Sequence, residues 1–152
     1  MPLEELPRID EYAVTVTASP GAAWDGVVGT LRRSFSSARA RQVARLLGCD
    51  PASASADGPA VGSSVPGFRV VAADRPHLLV VEGRHRFSRY GIVVRIEPGS
   101  AGARVTAESR AAFPGLLGAA YRLAVVGTGG HALAVHRLLR HVAPEAEAHG
   151  KT

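Results

Sequence analysis

The sequence predicts one α+β domain, in which a curved antiparallel sheet wraps around a long C-terminal helix and two short helices follow the first strand. Three observations carry this. An alternating segment at residues 9–17 leads into two capped helical stretches. Four strand-like segments then follow in succession, with Pro and Gly between them. Last comes an amphipathic run from Leu116 to about Val142. The 152 residues are 46% hydrophobic, so residues 1–152 read as a single domain able to bury roughly 70% of its unfolded surface.

Residues 1–8, with Pro2 and Pro7, read as a loose lead-in. In the strand that follows, Tyr12, Val14 and Val16 share one face. Ser19 is placed to cap a helix with Pro20 in its first turn. Ala23, Trp24, Val27, Val28 and Leu31 form that helix's apolar stripe. Ser36 or Ser37 starts a second helix, which ends near Leu47 with Gly48 as its stop. Residues 50–62, rich in Ala, Ser, Pro and Gly, read as an irregular loop.

The next strands span roughly Val61–Ala73, bent at Pro66-Gly67, then His77–Arg86, Arg89–Glu97 and Ala103–Ala112. Setting Glu97 opposite Arg104 pairs Ile96 with Val105, Val94 with Ala107, Ile92 with Ser109 and Tyr90 with Ala111. One face is then mostly apolar, and Arg95 and Glu108 point to solvent. A tight turn at Phe87-Ser88 sets His85 opposite Tyr90 on the inner face. In the last helix the wheel directs Ala124, Gly127, Thr128, His131, Ala134, Val135, Leu138 and Val142 inward. Arg122, Gly129, His136, Arg137 and Arg140 are directed outward. Pro144 marks the end of this helix, leaving 144–152 as a frayed tail.

An antiparallel sheet gripping such a helix is a helix-grip fold. The segments YAVTVTASPGAAWDGVV, GRHRFSRYGIVVRIEP and AAFPGLLGAAYRLAVVGTGGHALAVHRLLRHV resemble the START-like/polyketide cyclase (SRPBCC) superfamily. The likeness spans nearly the whole chain but lies in its pattern of elements. It implies a cavity between sheet and helix that holds an apolar ligand, and it supplies no catalytic signature.

Several classes of function are disfavoured. Of the 18 basic residues only Lys151 is a lysine, which suggests coding bias more than a nucleic-acid footprint. The densest arginine group, Arg32, Arg33, Arg39, Arg41 and Arg45, holds a single aromatic, Phe35, and the rest are spread along the chain, so no nucleic-acid partner is expected. Cys49 is the one cysteine and follows a helix-terminating glycine, so neither a disulfide framework nor an activated thiol is expected. His131, His136 and His141 stand five residues apart and do not share a helix face, so no metal site is expected. No apolar run reaches the ~20 residues of a membrane span. With an acidic N-terminus, this makes a cytoplasmic protein without stable membrane insertion the expectation. Gly127, Gly129 and Ala132 match G-x-G-x-x-A. The second parallel strand and its acidic residue, which that fingerprint requires, have no place in the remaining chain. No cofactor is therefore expected.

The candidate ligand-binding residues are His131, Thr128, Gly127, Ala124, Tyr90, His85, Trp24 and Tyr121. His131 sits at the centre of the apolar helical face among small residues that leave space around it. A histidine buried for structural reasons is its competing role. Solvation at the hairpin tip competes for His85, and core packing for Trp24 and Tyr121. Three functions stay open: binding of a hydrophobic small molecule or lipid, a polyketide cyclase or aromatase using the same cavity, and an interaction module without a working pocket. The sequence leaves open the oligomeric state and whether the C-terminal helix runs unbroken through Gly127–Gly130, where the glycines allow a break or kink.

Overall fold

A computed structural model of the chain describes residues 3–55 and 59–149. For residues 130–132, 134, 135, 138 and 149 it describes the backbone alone. The architecture is α+β. Six strands form one curved antiparallel sheet: β1 (Arg8–Val16), β2 (Ser64–Val65), β3 (Phe68–Asp74), β4 (Leu78–His85), β5 (Ser88–Gly99) and β6 (Gly102–Ala112). Their spatial order is β1-β6-β5-β4-β3-β2. The helices are α1 (Pro20–Phe35), α2 (Ala38–Leu47), α3 (Gly115–Arg122) and α4 (Gly130–His149), with a π-helical stretch at Leu123–Gly127 between the last two. None of the described helices is long and apolar enough to cross a membrane.

Local chemistry sets the early elements as expected. Ser19 Oγ accepts from the Ala22 N–H and Pro20 opens α1. Ser37 Oγ accepts from the Ala40 N–H, and Gly48 ends α2 in the left-handed region at φ 68°. The β5–β6 register is the expected one in every named pair, from Tyr90↔Ala111 to Glu97↔Arg104. This alternation places Val81, Ile92, Val94, Val105 and Ala107 in one core with Trp24 and Val27 of α1 and Val142 of α4.

Four expectations are corrected. The lead-in is not loose: Leu3 and Leu6 are buried against Val93 on the outer face of the sheet. That cover explains the second correction, because Glu108, expected in solvent, is only 5% exposed. Its carboxylate accepts from Arg110 and Arg95, while Arg110 also donates to the carbonyls of Glu4 and Leu6. Burial alone would raise the Glu108 pKa. The Arg110 hydrogen bond and the charges of Arg110, Arg95 and Arg8 outweigh it and hold the carboxyl below its usual range.

Third, the C-terminal helix is interrupted. Val125, Val126, Gly127, Thr128 and Gly129 are poor helix formers. Thr128 Oγ1 bonds back to the Ala124 carbonyl, and Gly129 takes φ 75°. The π winding adds a residue to the turn and shifts its facing. Ala124, Gly127 and Thr128 therefore end up exposed, whereas an unbroken 100° wheel turns them inward. Fourth, α4 runs through Pro144 to His149. The proline forfeits one backbone bond. Continuation is supported by burial of Val142 and Ala146, an Arg33–Glu145 ion pair, and a bond from Thr17 to Glu147. A side chain at Gly26 would place its Cβ 2.7 Å from the Ala146 nitrogen, so α1 and α4 touch backbone to backbone there. Residues 150–152 of the expected tail lie outside the described residues.

Candidate functional site

A cavity of about 230 Å³ lies between the sheet's inner face and the two helical segments that flank it. β4, β5 and β6 supply the floor through His85, Ser88, Tyr90, Ile92, Ser109 and Ala111. The C-terminal end of α2 contributes Leu47 and, just beyond it, Cys49. Tyr121, Val125 and Val126 close the opposite side, with Phe68 and Phe113 at the ends. The walls are mainly hydrocarbon and aromatic, and a few hydroxyl and imidazole groups converge on the space, as in small-molecule sites generally. Two other recesses are larger but of different character. One, of 400 Å³, includes Arg84 and Asp50, already joined in an ion pair. The other, of 430 Å³, lies on the outer face around Leu3 and Val93.

The β4–β5 hairpin turns at Arg86-Phe87, pairing His85 with Ser88 and Tyr90 with Gly83. The expected turn was one residue later. The pairing moves by two positions, so both side chains keep the inner face. The shift matters chemically. His85 Nδ1 accepts the Phe87 N–H at 3.1 Å, and Nε2 lies 3.0 Å from Ser88 Oγ. With Nδ1 accepting, the neutral ring carries its proton on Nε2 and donates to Ser88. Burial lowers the His85 pKa, which favours this neutral form. The Tyr121 ring meets His85 edge-on at 4.8 Å and stacks on Phe87 at 5.6 Å, fixing α3 over the hairpin.

Tyr90 has a different role. Its hydroxyl donates to the Gly67 carbonyl at 2.8 Å and touches the Cys49 sulfur at 3.8 Å. Gly83 makes the geometry possible, because a Cβ there would stand 1.9 Å from the Gly67 oxygen. Burial, followed by the charge and hydrogen bond of Cys49, pushes the Tyr90 phenol far above its usual range. Burial likewise raises the Cys49 and Tyr121 pKa values. Tyr90 thus ties the β2–β3 turn down and lends its ring to the wall.

Thr30 and Ser109 both bury a hydroxyl with no hydrogen-bond partner among the described residues, and of the two Ser109 alone lines the cavity. Ser109 is 2% exposed and lines it from β6. A buried unsatisfied hydroxyl costs about 1–3 kcal/mol.

The cavity brings together His85, Tyr90 and Tyr121 of the expected residues. Trp24 is instead packed in the core, beside Val27 on the α1 stripe and in one cluster with Val142. Ala124, Gly127 and Thr128 are turned away by the π stretch. The His131 side chain lies outside the described residues. Reasoning from sequence missed Ser88, Ser109, Phe113, Val125 and Val126 as wall residues. For Ser109 a signal existed, since it is a lone hydroxyl in the alternating inner row Val105, Ala107, Ala111.

A scan against protein-family models gives no match, and no curated protein matches the chain in sequence. Solved structures match it in fold. A structural-genomics protein from Mesorhizobium loti superposes with a TM-score of 0.57 at 13% identity, covering 91% of this chain and 96% of that one. A Rhodobacter sphaeroides protein gives 0.56 at 15% identity, covering 91% of each. CalU16 from Micromonospora echinospora gives 0.52 at 12% identity, covering 93% of this chain and 81% of its own. At such identities the similarity is one of fold alone.

Proposed function

We propose that the chain is a START-like (SRPBCC) helix-grip domain that binds a small, mainly apolar molecule in the cavity between β4–β6 and the segment 115–127. The element order and the solved structures of similar fold support the family assignment. The observation that carries the binding reading is Ser109, a buried hydroxyl without a partner that lines an otherwise apolar cavity. A carbonyl or hydroxyl on a ligand would satisfy it, and the fold offers nothing else. About 230 Å³ lies between the ~150 Å³ of a cavity that admits benzene and the ~300 Å³ at which drug-sized pockets begin. The ligand is accordingly one or two rings, or a short acyl chain, with one hydrogen-bonding group.

A cyclase or aromatase on this scaffold has less support. His85 Nδ1 is occupied as an acceptor by the Phe87 N–H, so the ring is not placed to take a proton from Ser88. Tyr90 is committed to Gly67, and the volume is small for a long reactive chain. An interaction module with a filled core is the other alternative, and the cavity itself weighs against it.

Titration with the neutral two-ring fluorophore 1-naphthylamine tests the reading. Saturable fluorescence enhancement at one site is expected, abolished by the cavity-filling change Ala111→Trp. Absence of enhancement, or equal enhancement in that variant, would count against it.

A further inference from the structure

Basic and acidic residues are strongly segregated along the chain. Residues 26–49 carry Arg32, Arg33, Arg39, Arg41 and Arg45 and no Asp or Glu. Residues 109–143 carry Arg122, Arg137 and Arg140, besides Arg110 which is paired with Glu108 on the outer face, and again no acid. Coding bias explains arginine in place of lysine, but it does not explain the missing carboxylates.

The same two segments hold most of the large apolar side chains left in water. Leu46 is 71% exposed, Leu116 91%, and Leu117 and Leu123 72% each; Val43 is also exposed. Outside these segments, the only large apolar residue so exposed among the described ones is Val61. The exposure follows from how lightly the elements are seated. α2 fully buries only Ala44, α3 only Gly118, and the π stretch buries nothing completely. The two elements also border one cavity, Leu47 and Cys49 lining it from the end of α2 and Tyr121, Val125 and Val126 from the other segment.

We infer that this rim, formed by α2 and the segment 115–127, is a docking surface for an anionic lipid bilayer. Leucines flanked by arginines match such a surface in both respects: the side chains enter the acyl boundary, and the guanidinium groups stay with the phosphates. A nucleic acid would use the arginines but give no place to the leucines. Docking is peripheral and does not require an occupied cavity. If the proposed ligand site holds, the cavity mouth would open toward the bilayer, and an apolar ligand could pass between them without crossing water.

The test is co-sedimentation of the full chain with vesicles of phosphatidylglycerol and phosphatidylcholine in equal parts, and with vesicles of phosphatidylcholine alone. Binding is expected to the anionic vesicles only, weakening as salt is raised. Arg39→Gln and Arg45→Gln should each lower the partition coefficient about fivefold. Leu46→Ser with Leu123→Ser should weaken binding about tenfold or more at unchanged net charge, from the apolar area withdrawn. All four residues are exposed, and circular dichroism with thermal melts shows whether each variant folds; the arginine pair serves if the leucine pair does not. No binding, or equal binding to neutral vesicles, would overturn the inference. So would RNA binding that survives the leucine changes, which would make the face a nucleic-acid surface. Self-association abolished by Leu46→Ser, without vesicle binding, would assign the face to a second copy of the chain. Vesicle binding without uptake of the neutral fluorophore would leave the docking surface standing and remove the ligand site.

Discussion

Ser109→Ala should move stability and affinity in opposite directions. The hydroxyl is 2% exposed and without a partner among the described residues, so the folded protein carries a desolvation cost of about 1–3 kcal/mol. Alanine removes that cost and leaves a space no larger than one oxygen atom. Taking the lower end of that range, a gain of about 1 kcal/mol is expected. For a chain of this size that is roughly 2–4 °C in Tm. Binding changes the sign: a ligand carbonyl loses a hydrogen bond worth about 0.5–1.5 kcal/mol, a two- to tenfold weaker Kd. The assay is urea denaturation of both proteins without ligand, followed by titration with naphthol and with naphthalene. Naphthol should lose affinity in the variant and naphthalene should not. Destabilisation by more than about 1 kcal/mol would refute the reasoning, because the hydroxyl would then hold a structural bond. An equal loss for both ligands would place Ser109 away from the polar group.

Further expectations follow from the geometry. Gly83→Ala should cost about 3 kcal/mol or prevent folding, since its Cβ would stand 1.9 Å from the Gly67 oxygen and displace the Tyr90 bond; a denaturation midpoint near wild type would contradict the hairpin packing. Gly26→Ala should likewise destabilise, by about 1–3 kcal/mol, through its contact with Ala146, and a neutral result would mean that the helix does end at Pro144. Glu108→Gln should cost about 2–3 kcal/mol at neutral pH by leaving Arg110 poorly paired. Its carboxyl is held below the usual range, so its contribution is present above the unfolded pKa of about 4.3 and disappears as pH falls through the folded value; the gap between variant and wild type should close in acid. The lowered His85 pKa acts in a different window. Stability is full above the unfolded value of about 6.5 and declines as pH drops from there toward the folded value, because the unfolded chain binds the proton first. His85→Gln should flatten that decline in chemical denaturation below pH ~6.5, and an unchanged slope would show that the imidazole does not titrate as argued.

The sheet was legible because its signals are local and have a period of two. Glu97 and Arg104 set the last hairpin, and every inner residue followed from them. Caps behaved the same way at Ser19, Ser37 and Gly48, each acting on its own turn. The β4–β5 turn was misplaced by one residue because no Gly or Asn marks it; what holds it is the bond from the Phe87 N–H to the His85 ring, invisible to turn propensities. The C-terminal helix misled for a related reason. A 100° wheel assumes an unbroken helix, and the π stretch followed by Gly129 resets the phase, moving Val125 and Val126 inward and Gly127 and Thr128 outward. Pro144 gave a stop signal overridden by burial of Ala146, a tertiary contact with a glycine far away in sequence. Glu108 was misplaced because a charged residue on an outer face usually meets water, and nothing in its own strand indicates that Leu3 and Leu6 fold across that face.

Native mass spectrometry of the chain, purified without detergent and offered a series of small aromatic alcohols, tests the central claim most directly. The account predicts a one-to-one adduct with one- and two-ring compounds and none with larger ones, weakened by Ser109→Ala and absent in Ala111→Trp. A bare protein mass throughout the series, or adducts equally abundant in both variants, would contradict it.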